Sequence, residues 1–534
     1  MRLRFRPLHL ALMLAVGCAT AQAGDLQQAY DLARQGDPQL AGSEANKRAV
    51  EEGVVQSRAA LLPQINATGT FNKSNGGSAS VSSFPCTDTS GASSVCFGPS
   101  TGTSATKSRS ETINLQQTVY DHANYTRLRA SRSRAAQADA LWDSASQQLI
   151  TRVAQAYFNV LSAIQDLASS RAQERALKRQ YDQANVRLQV GLAPITDAQE
   201  AKAQYDIARA QTINFETALS DAREALAEIT GQPIDRLKGL APNFVPTAPS
   251  PAEIDAWVKS AVDQNPQIIA QRRAVDAANH DVETARAGHL PTVGFTASYG
   301  DTAQWGEFGS NGLAFPATSK NYGPSYSLTL TVPIFSGFAV SSRVRQAIAT
   351  RDQAVDTLEQ TRRSIERQAR NAFHATVAGL TEIEARKQAL LSAQTALEAT
   401  QTGLEVGTRT IVDVLITEQQ LFSAQRDYAR ARNNFIVNGL LLRQAAGTIL
   451  PSDVTAVNAL LVSDAEAALD VSPDAGDAAM PGLPVLPTKS AAPGTAPAPA
   501  DETNPTPAKK KKKHKRAAPV APAPTLEPAP EPTH

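Results

Sequence analysis

The chain has 534 residues and a formal net charge of +1, with 42% hydrophobic, 5% aromatic and 19% charged residues. That is enough apolar material for a large folded body and too little aromatic and basic character for a nucleic-acid binder. Three Cys exclude a disulfide-dense secreted scaffold, and beyond the short run at 8–16 no stretch approaches the ~20 consecutive apolar residues of a membrane-spanning helix.

At the N-terminus Arg2, Arg4 and Arg6 precede the apolar run Leu8 to Val16, and Ala21-Gln22-Ala23 offers small residues for cleavage. Residues 1–23 therefore read as a secretory signal. Lipidation of Cys18 is a second reading, against which Ala15 stands where a lipoprotein signal usually has a large aliphatic residue. Without 1–23 the chain keeps 49 basic and 51 acidic residues and meets an oxidising compartment with only Cys86 and Cys96.

An internal repeat organises the chain from residue 24 to residue 450. Asp37-Pro38-Gln39 matches Asn265-Pro266-Gln267, and at the same offset of 228 Arg58 matches Arg286 and Leu62-Pro63 matches Leu290-Pro291. Further along, at an offset of 216, Val190-Gly191 matches Val406-Gly407 and Asp197 matches Asp413. The repeats span 24–231 and 252–450, joined by the proline-bearing linker 232–251. The first carries 12 extra residues. They are expected in the Ser/Gly-rich stretch Ser74 to Ser108, read as a surface loop. A Cys86–Cys96 disulfide closing that loop is preferred over two free thiols.

Each repeat has two stretches of period-2 alternation. Ile65, Ala67, Gly69 and Phe71 alternate with polar residues, as do Ile113, Leu115 and Val119; in the second repeat Val293, Phe295, Ala297 and Tyr299 do the same, then Tyr326, Leu328, Leu330 and Val332. Such strands suit a soluble sheet or a membrane barrel with a wet lumen. The rest of each repeat reads as helix. His122 to Val190 contains no Gly or Pro, and at 1.5 Å per residue one helix there would run ~100 Å. Phe338 to Thr402 repeats the pattern, with Gly379 as its only breaker. The returning segments carry coiled-coil seams: Tyr205, Ala208, Thr212, Phe215, Leu219, Ala222 and Leu226 in one, Leu421, Ala424, Tyr428, Ala431, Phe435 and Leu442 in the other.

From residue 451 the material changes, with half of the 32 prolines and the basic run 509–516. This C-terminal extension is expected to be disordered from about residue 470. The basic run reads as a solvated tail or as a contact to an anionic surface.

Four strands cannot close a barrel, since the smallest membrane barrels have about eight. Several chains must contribute if these strands cross a bilayer; a trimeric coiled-coil adhesin or envelope spacer without a pore is the competing reading. The stretch Val406-Gly407-Thr408-Arg409-Thr410-Ile411-Val412-Asp413-Val414-Leu415 resembles the periplasmic entrance motif of the TolC family of outer-membrane channels. Val190 to Asp197 resembles its first-half partner, and Leu62-Pro63, Leu290-Pro291 and Pro333-Ile334-Phe335-Ser336-Gly337 resemble further signatures over about residues 25–450. The resemblance implies a homotrimer in outer-membrane lipid: a twelve-stranded barrel, continued by a helical tunnel in the periplasm. It implies a passive exit duct working with a periplasmic adaptor and a proton-driven or ATP-driven inner-membrane exporter in efflux or type I secretion. It also implies a gate latch of Thr196, Asp197 and Arg409.

The helical turns Val190-Gly191-Leu192 and Val406-Gly407-Thr408 are the expected adaptor-docking tips. Three copies of Asp413 would form a selectivity ring able to attract or bind cations, with mutual repulsion raising part of their titration. The sequence departs from the family in Ile416, where a second Asp is usual, and in Leu404, where a Tyr joins the latch. Asp413 and Arg409 also admit plain readings as a helix-start acid and a surface ion-pair partner. No phosphate loop, zinc-spaced cluster or nucleophile elbow occurs, and His122, His280, His289 and His374 lack ligand-like pairing. No enzyme activity or cofactor is expected.

Overall fold

The computed structural model describes residues 24–87, 90–310 and 313–469. The signal segment with Cys18, and the chain from 470 with its basic run, lie outside the described residues. In chain order, α1 (Leu26–Gly36) and α2 (Pro38–Ala59) lead into β1 (Gln64–Thr87) and β2 (Ser93–Tyr120). Helices α3 (His122–Gln189) and α4 (Ile195–Thr230) follow. After β3 (Lys238–Leu240) the pattern recurs as α5 (Ile254–Gln264), α6 (Pro266–Arg286), β4 (Thr292–Ser310), β5 (Leu313–Thr331), α7 (Ala339–Glu405) and α8 (Ile411–Ala445). The folded part ends with α9 (Pro451–Asn458) and β6 (Leu461–Asp464).

The repeated Asp/Asn-Pro-Gln motif is a helix junction. Proline sits at the first position of α2 and α6, where no N–H is needed, and the preceding side chain caps the helix. Asp37 accepts the Leu40 N–H at 2.9 Å and pairs with Arg152 at 2.6 Å; Asn265 accepts the Gln267 N–H at 2.9 Å and donates to the Ala445 carbonyl at 3.1 Å.

The strands form one antiparallel sheet in the order β1-β2-β4-β5. The stretch 74–108 is therefore not a surface loop: apart from the turn near residue 90 it prolongs the hairpin, with pairing continuous from Gln64↔Gln116 to Thr87↔Ser93. The first hairpin's strands have 24 and 28 residues against 19 and 19 in the second, so the extra length lies in paired backbone. Ser, Thr and Gly there give no apolar alternation, yet the backbone groups that face across the hairpin still find their cross-strand partners. Cys86 and Cys96 are joined near the hairpin's end, with Cα atoms 5.7 Å apart.

Register sorts the sheet's faces. Rows Gln64/Gln116/Thr296/Ser327, Asn66/Asn114/Ser298/Ser325 and Thr70/Ser110/Thr302/Asn321 make one face of uncharged hydroxyls and amides. The other carries Ile65/Leu115/Ala297/Tyr326 and Ala67/Ile113/Tyr299/Pro324, with Leu328 and Leu330 nearer the helices. Most of these apolar side chains are exposed in the single chain. Ile334, 95% exposed, and the edge-to-face pair Phe335–Phe338 add apolar surface where β5 passes into α7.

A core joins α1, α3, α4 and α9 around Tyr157, whose hydroxyl donates to the carbonyls of Lys238 at 2.7 Å and Gly24 at 3.2 Å. Val153, Val160, Ile164 and Leu167, spaced along one face of α3, are buried there. Residues 451–469, expected to belong to the extension, are folded: α9 joins this core and β6 pairs with β3, so the linker 232–251 itself contains a strand. Among the described residues no helix is long and apolar enough to cross a membrane.

Candidate channel entrance

Both long helical hairpins reverse at a glycine. Helix α3 closes with Leu192 N–H on Arg187 O at 2.8 Å and Gly191 N–H on Leu188 O at 3.0 Å. Helix α7 closes with Thr408 N–H on Gly403 O at 2.8 Å and Gly407 N–H on Leu404 O at 3.2 Å. This is the Schellman pattern, which places the residue after the cap in the left-handed region: Gly191 has φ +75° and Gly407 φ +77°. Around the turns Val190, Leu192, Ile195 and Val406 project their side chains outward, Leu192 79% exposed. Thr408 is exposed beside them.

The two returning helices start differently. In α8 Thr410 is the N-cap and Asp413 completes a capping box, its carboxylate accepting the Thr410 N–H at 2.9 Å and the Thr410 hydroxyl at 3.0 Å. The Thr410 N–H, the same residue's hydroxyl and the nearby Arg409 charge hold the Asp413 carboxyl below the usual carboxylate range. Within one chain the shift is thus opposite to that expected from a ring of repelling carboxylates. In α4 the equivalent cap is Pro194, which has no N–H and no hydroxyl, and it makes no side-chain cap bond. Among the described residues the Asp197 carboxylate receives only the Thr196 hydroxyl, at 3.4 Å.

Thr196 and Asp197 are therefore together, and Arg409 and Asp413 are together, but one chain does not join the two groups. The Arg409 side chain makes no hydrogen bond or ion pair among the described residues. Its stem lies across Gly403, where a Cβ would meet Arg409 Cγ at 2.6 Å. Gly403 is thus a residue of this site that sequence reasoning missed; its signal is a second glycine one turn before Gly407. Ile416, 49% exposed, shares an exposed α8 face with Val412, and Leu404 is half-buried.

Packing differs within and between hairpins. Inside them the seams are apolar: Ala184, Ala198 and Ala201 in the first, Ile383, Leu390, Tyr428, Ala431 and Phe435 in the second. Between α3 and α8 apolar contacts, Leu177 with Leu415 and Ile436 and Leu440 in the Tyr157 core, are interleaved with polar ones. Arg430 donates to Asp166 at 2.6 Å, Asn433 to Ser162 at 3.0 Å and Ser169 to the Phe422 carbonyl at 3.3 Å. Burial pushes the Asp166 carboxyl up, opposed by the Arg430 bond. Sequence reasoning missed this seam as well. Among the described residues no group of three His, Cys, Asp or Glu could hold a metal ion.

Residues 29–232 and 257–448 match the family described as outer membrane efflux protein. The chain is 34% identical to the outer membrane protein TolC of Escherichia coli K12, over 85% of this chain and 88% of that one. It is 28% identical to the proteases secretion protein PrtF of Dickeya chrysanthemi, over 85% of this chain and 94% of that one. Its fold is similar to that of the outer membrane protein VceC of Vibrio cholerae, with a TM-score of 0.60 at 19% identity, covering 79% of this chain and 96% of that one. With both repeats matched and the entrance geometry in place, the chain belongs to the outer membrane efflux protein family.

Proposed function

We propose that three copies of this chain close into one duct, a twelve-stranded barrel in the outer membrane continued by a tunnel of helical hairpins. The observation that carries this reading is the open sheet. Strands β1 and β5 each have one neighbour, which leaves two long edges of unpaired backbone groups beside an exposed apolar face. In lipid such edges are costly, and pairing β1 of one copy with β5 of the next removes them. Two copies would give eight strands, whose interior side chains fill; three leave an aqueous lumen lined by the uncharged polar face. A pore-free adhesin has no use for that face.

The chain acts as an outer-membrane exit duct of efflux and secretion systems. In the detail proposed here it supplies no energy: a periplasmic adaptor grips the exposed Val190-Gly191-Leu192 and Val406-Gly407-Thr408 tips, and an inner-membrane proton-driven or ATP-driven exporter loads the duct. Arg409 of one copy reaches Thr196 and Asp197 of a neighbour to hold the entrance shut. Asp197 suits this role because Pro194 gives its carboxylate no capping bond, and the Thr196 hydroxyl holds it only at 3.4 Å. Asp413, three times repeated, lines the opening.

Single-channel recording in planar bilayers, with crosslinking to count subunits, tests the architecture. Trimers with a stable unitary conductance are expected. Lipid-embedded monomers, or trimers that conduct nothing, would remove it.

A further inference from the structure

The outward face of the sheet changes character along its strands. From Leu330 to Lys320 is ten residues, about 33 Å of strand, or roughly 25 Å along the bilayer normal at the usual tilt of a membrane barrel. That is the height of an apolar barrel band; the row just inside its outer edge, Gly69/Glu111/Asp301/Tyr322, carries two carboxylates, and the basic side chains begin at the edge itself. Phe71/Arg109/Ala303/Lys320 form one row and Lys73/Lys107/Trp305/Thr318 the next, all on the face that carries Ile65, Leu115 and Tyr326. Aromatic rings frame them: Phe71 contacts Trp305 at 6.2 Å and Lys320 lies over Tyr322 at 5.5 Å.

The charges do not balance. Lys320 pairs with Asp301 at 3.4 Å and Arg109 with Glu111 at 3.6 Å. Lys73 and Lys107 face each other directly across β1 and β2, are exposed, and make no ion pair among the described residues. Glu307, one row further out on β4, pairs with neither. Like charges directly opposite in a sheet are destabilising, so an anion between them is favoured.

We propose that Lys73 and Lys107, flanked by Arg109 and Trp305, form a site for the phosphate of an outer-leaflet glycolipid, a lipid with a phosphorylated sugar headgroup and several acyl chains. The acyl chains lie on the apolar rows below, and the phosphate meets the two ammonium groups at headgroup height. This rests on the membrane-barrel reading, with the hairpin ends facing outward.

The test uses full-length protein in phosphatidylcholine nanodiscs doped with bisphosphorylated lipid A or with its dephosphorylated form. Lipid that remains bound after transfer to detergent is counted by mass spectrometry. Wild type should retain the phosphorylated form roughly thirtyfold better than the K73Q/K107Q variant. Both should retain the dephosphorylated form equally weakly, and excess inorganic phosphate in the wash should change nothing. Equal retention by wild type and variant, indifference to the lipid's phosphates, or displacement by inorganic phosphate would each overturn the site. In lipid-free detergent the variant should melt no lower than wild type, since a repulsion has been removed; a lower melting point would show the lysines to be structural instead. Conducting trimers without lipid preference overturn this inference alone, whereas protein that does not insert overturns the barrel reading and the site with it.

Discussion

Asp413 and Thr410 bond to each other in both directions, the carboxylate accepting at 2.9 and 3.0 Å and the hydroxyl accepting the Asp413 N–H at 3.3 Å, while Asp197 faces Pro194 with no such bond. Two aspartates at equivalent places in the repeat are thus in opposite states, one satisfied by its own helix and one open to a partner. Building the missing cap should close that difference. Pro194→Thr is expected to stabilise the start of α4 by about 1 kcal/mol and to draw Asp197 away from Arg409. Single-channel conductance should rise part of the way toward that of Asp197→Asn. A P194T channel that opens no more than wild type, beside an open D197N channel, would show that capping does not compete with the latch.

Arg409→Ser removes a contact proposed only for the closed form, and a bias of about 1 to 3 kcal/mol raises the open population severalfold or more. Conductance and inward leakage of large antibiotics should increase. Asp413→Asn keeps one acceptor for the Thr410 N–H but loses the charge, so cation selectivity should fall with little change in open fraction. If instead D413N opens the channel and R409S does not, latch and filter exchange roles.

The pH dependence of that selectivity is set by the cap. The Asp413 carboxyl is held below its ordinary range, so the bond that holds it there is fully present above that range and is lost as pH falls through the depressed value. Thr410→Val removes the hydroxyl and weakens the hold. The pH at which cation selectivity disappears should therefore move upward in T410V, measured as reversal potential under a salt gradient. An unchanged pH would mean that repulsion between neighbouring carboxylates, rather than the cap, governs the titration.

Much of the fold is legible in the sequence because helices and repeats announce themselves by what they lack and what they share. No Gly or Pro interrupts His122 to Gln189, and the Asp37-Pro38 and Asn265-Pro266 pairs mark matching helix starts. The strands show themselves only where one face is apolar. Beyond Phe71 small and polar residues dominate and the few large apolar ones, such as Val81, Val95 and Phe97, set up no sustained alternation, so the 74–108 stretch reads as loop although its backbone is paired. Strands β3 and β6 are three and four residues long and pair across more than two hundred residues, below the reach of any local pattern. At the entrance, the equivalence of Asp197 and Asp413 is visible from the offset. Their different hydrogen bonding depends on cap geometry, which spacing does not carry.

The C-terminal boundary can be tested by two truncations. Ending the chain at 470 removes a Pro/Ala-rich segment whose composition buries little, and trimer yield and conductance should stay near wild type. Ending it at 450 removes α9 and β6, including Val454 and Leu461, each worth about 2 kcal/mol when fully buried, and leaves β3 without its partner. The shorter chain should fail to give heat-stable trimers on semi-native gels. Normal trimers from it would show that the β3–β6 sheet is dispensable for assembly.

The polar contacts between α3 and α8 make a sharper energetic prediction. Asp166 is 8% exposed and one of its oxygens, Oδ1, has no hydrogen-bond partner among the described residues, while Arg430 is about half exposed. Removing Arg430 leaves a buried carboxylate with no hydrogen-bonded cation and only the nearby Arg426 charge, whereas removing the charge of Asp166 leaves an arginine that water can reach. Arg430→Ala is therefore expected to destabilise by about 3 kcal/mol, and Asp166→Asn by less than about 1 kcal/mol. The double variant R430A/D166N should recover most of what R430A loses, which thermal unfolding followed by circular dichroism can measure. The pH response has a definite sign: burial raises the Asp166 carboxyl, so its contribution is fully present below the ordinary carboxylate range and is lost as pH rises through the raised value. Acidification should consequently narrow the gap between R430A and wild type. Should R430A lose as much stability in acid as at neutral pH, and D166N fail to rescue it, packing by the arginine stem rather than charge would hold the hairpins together.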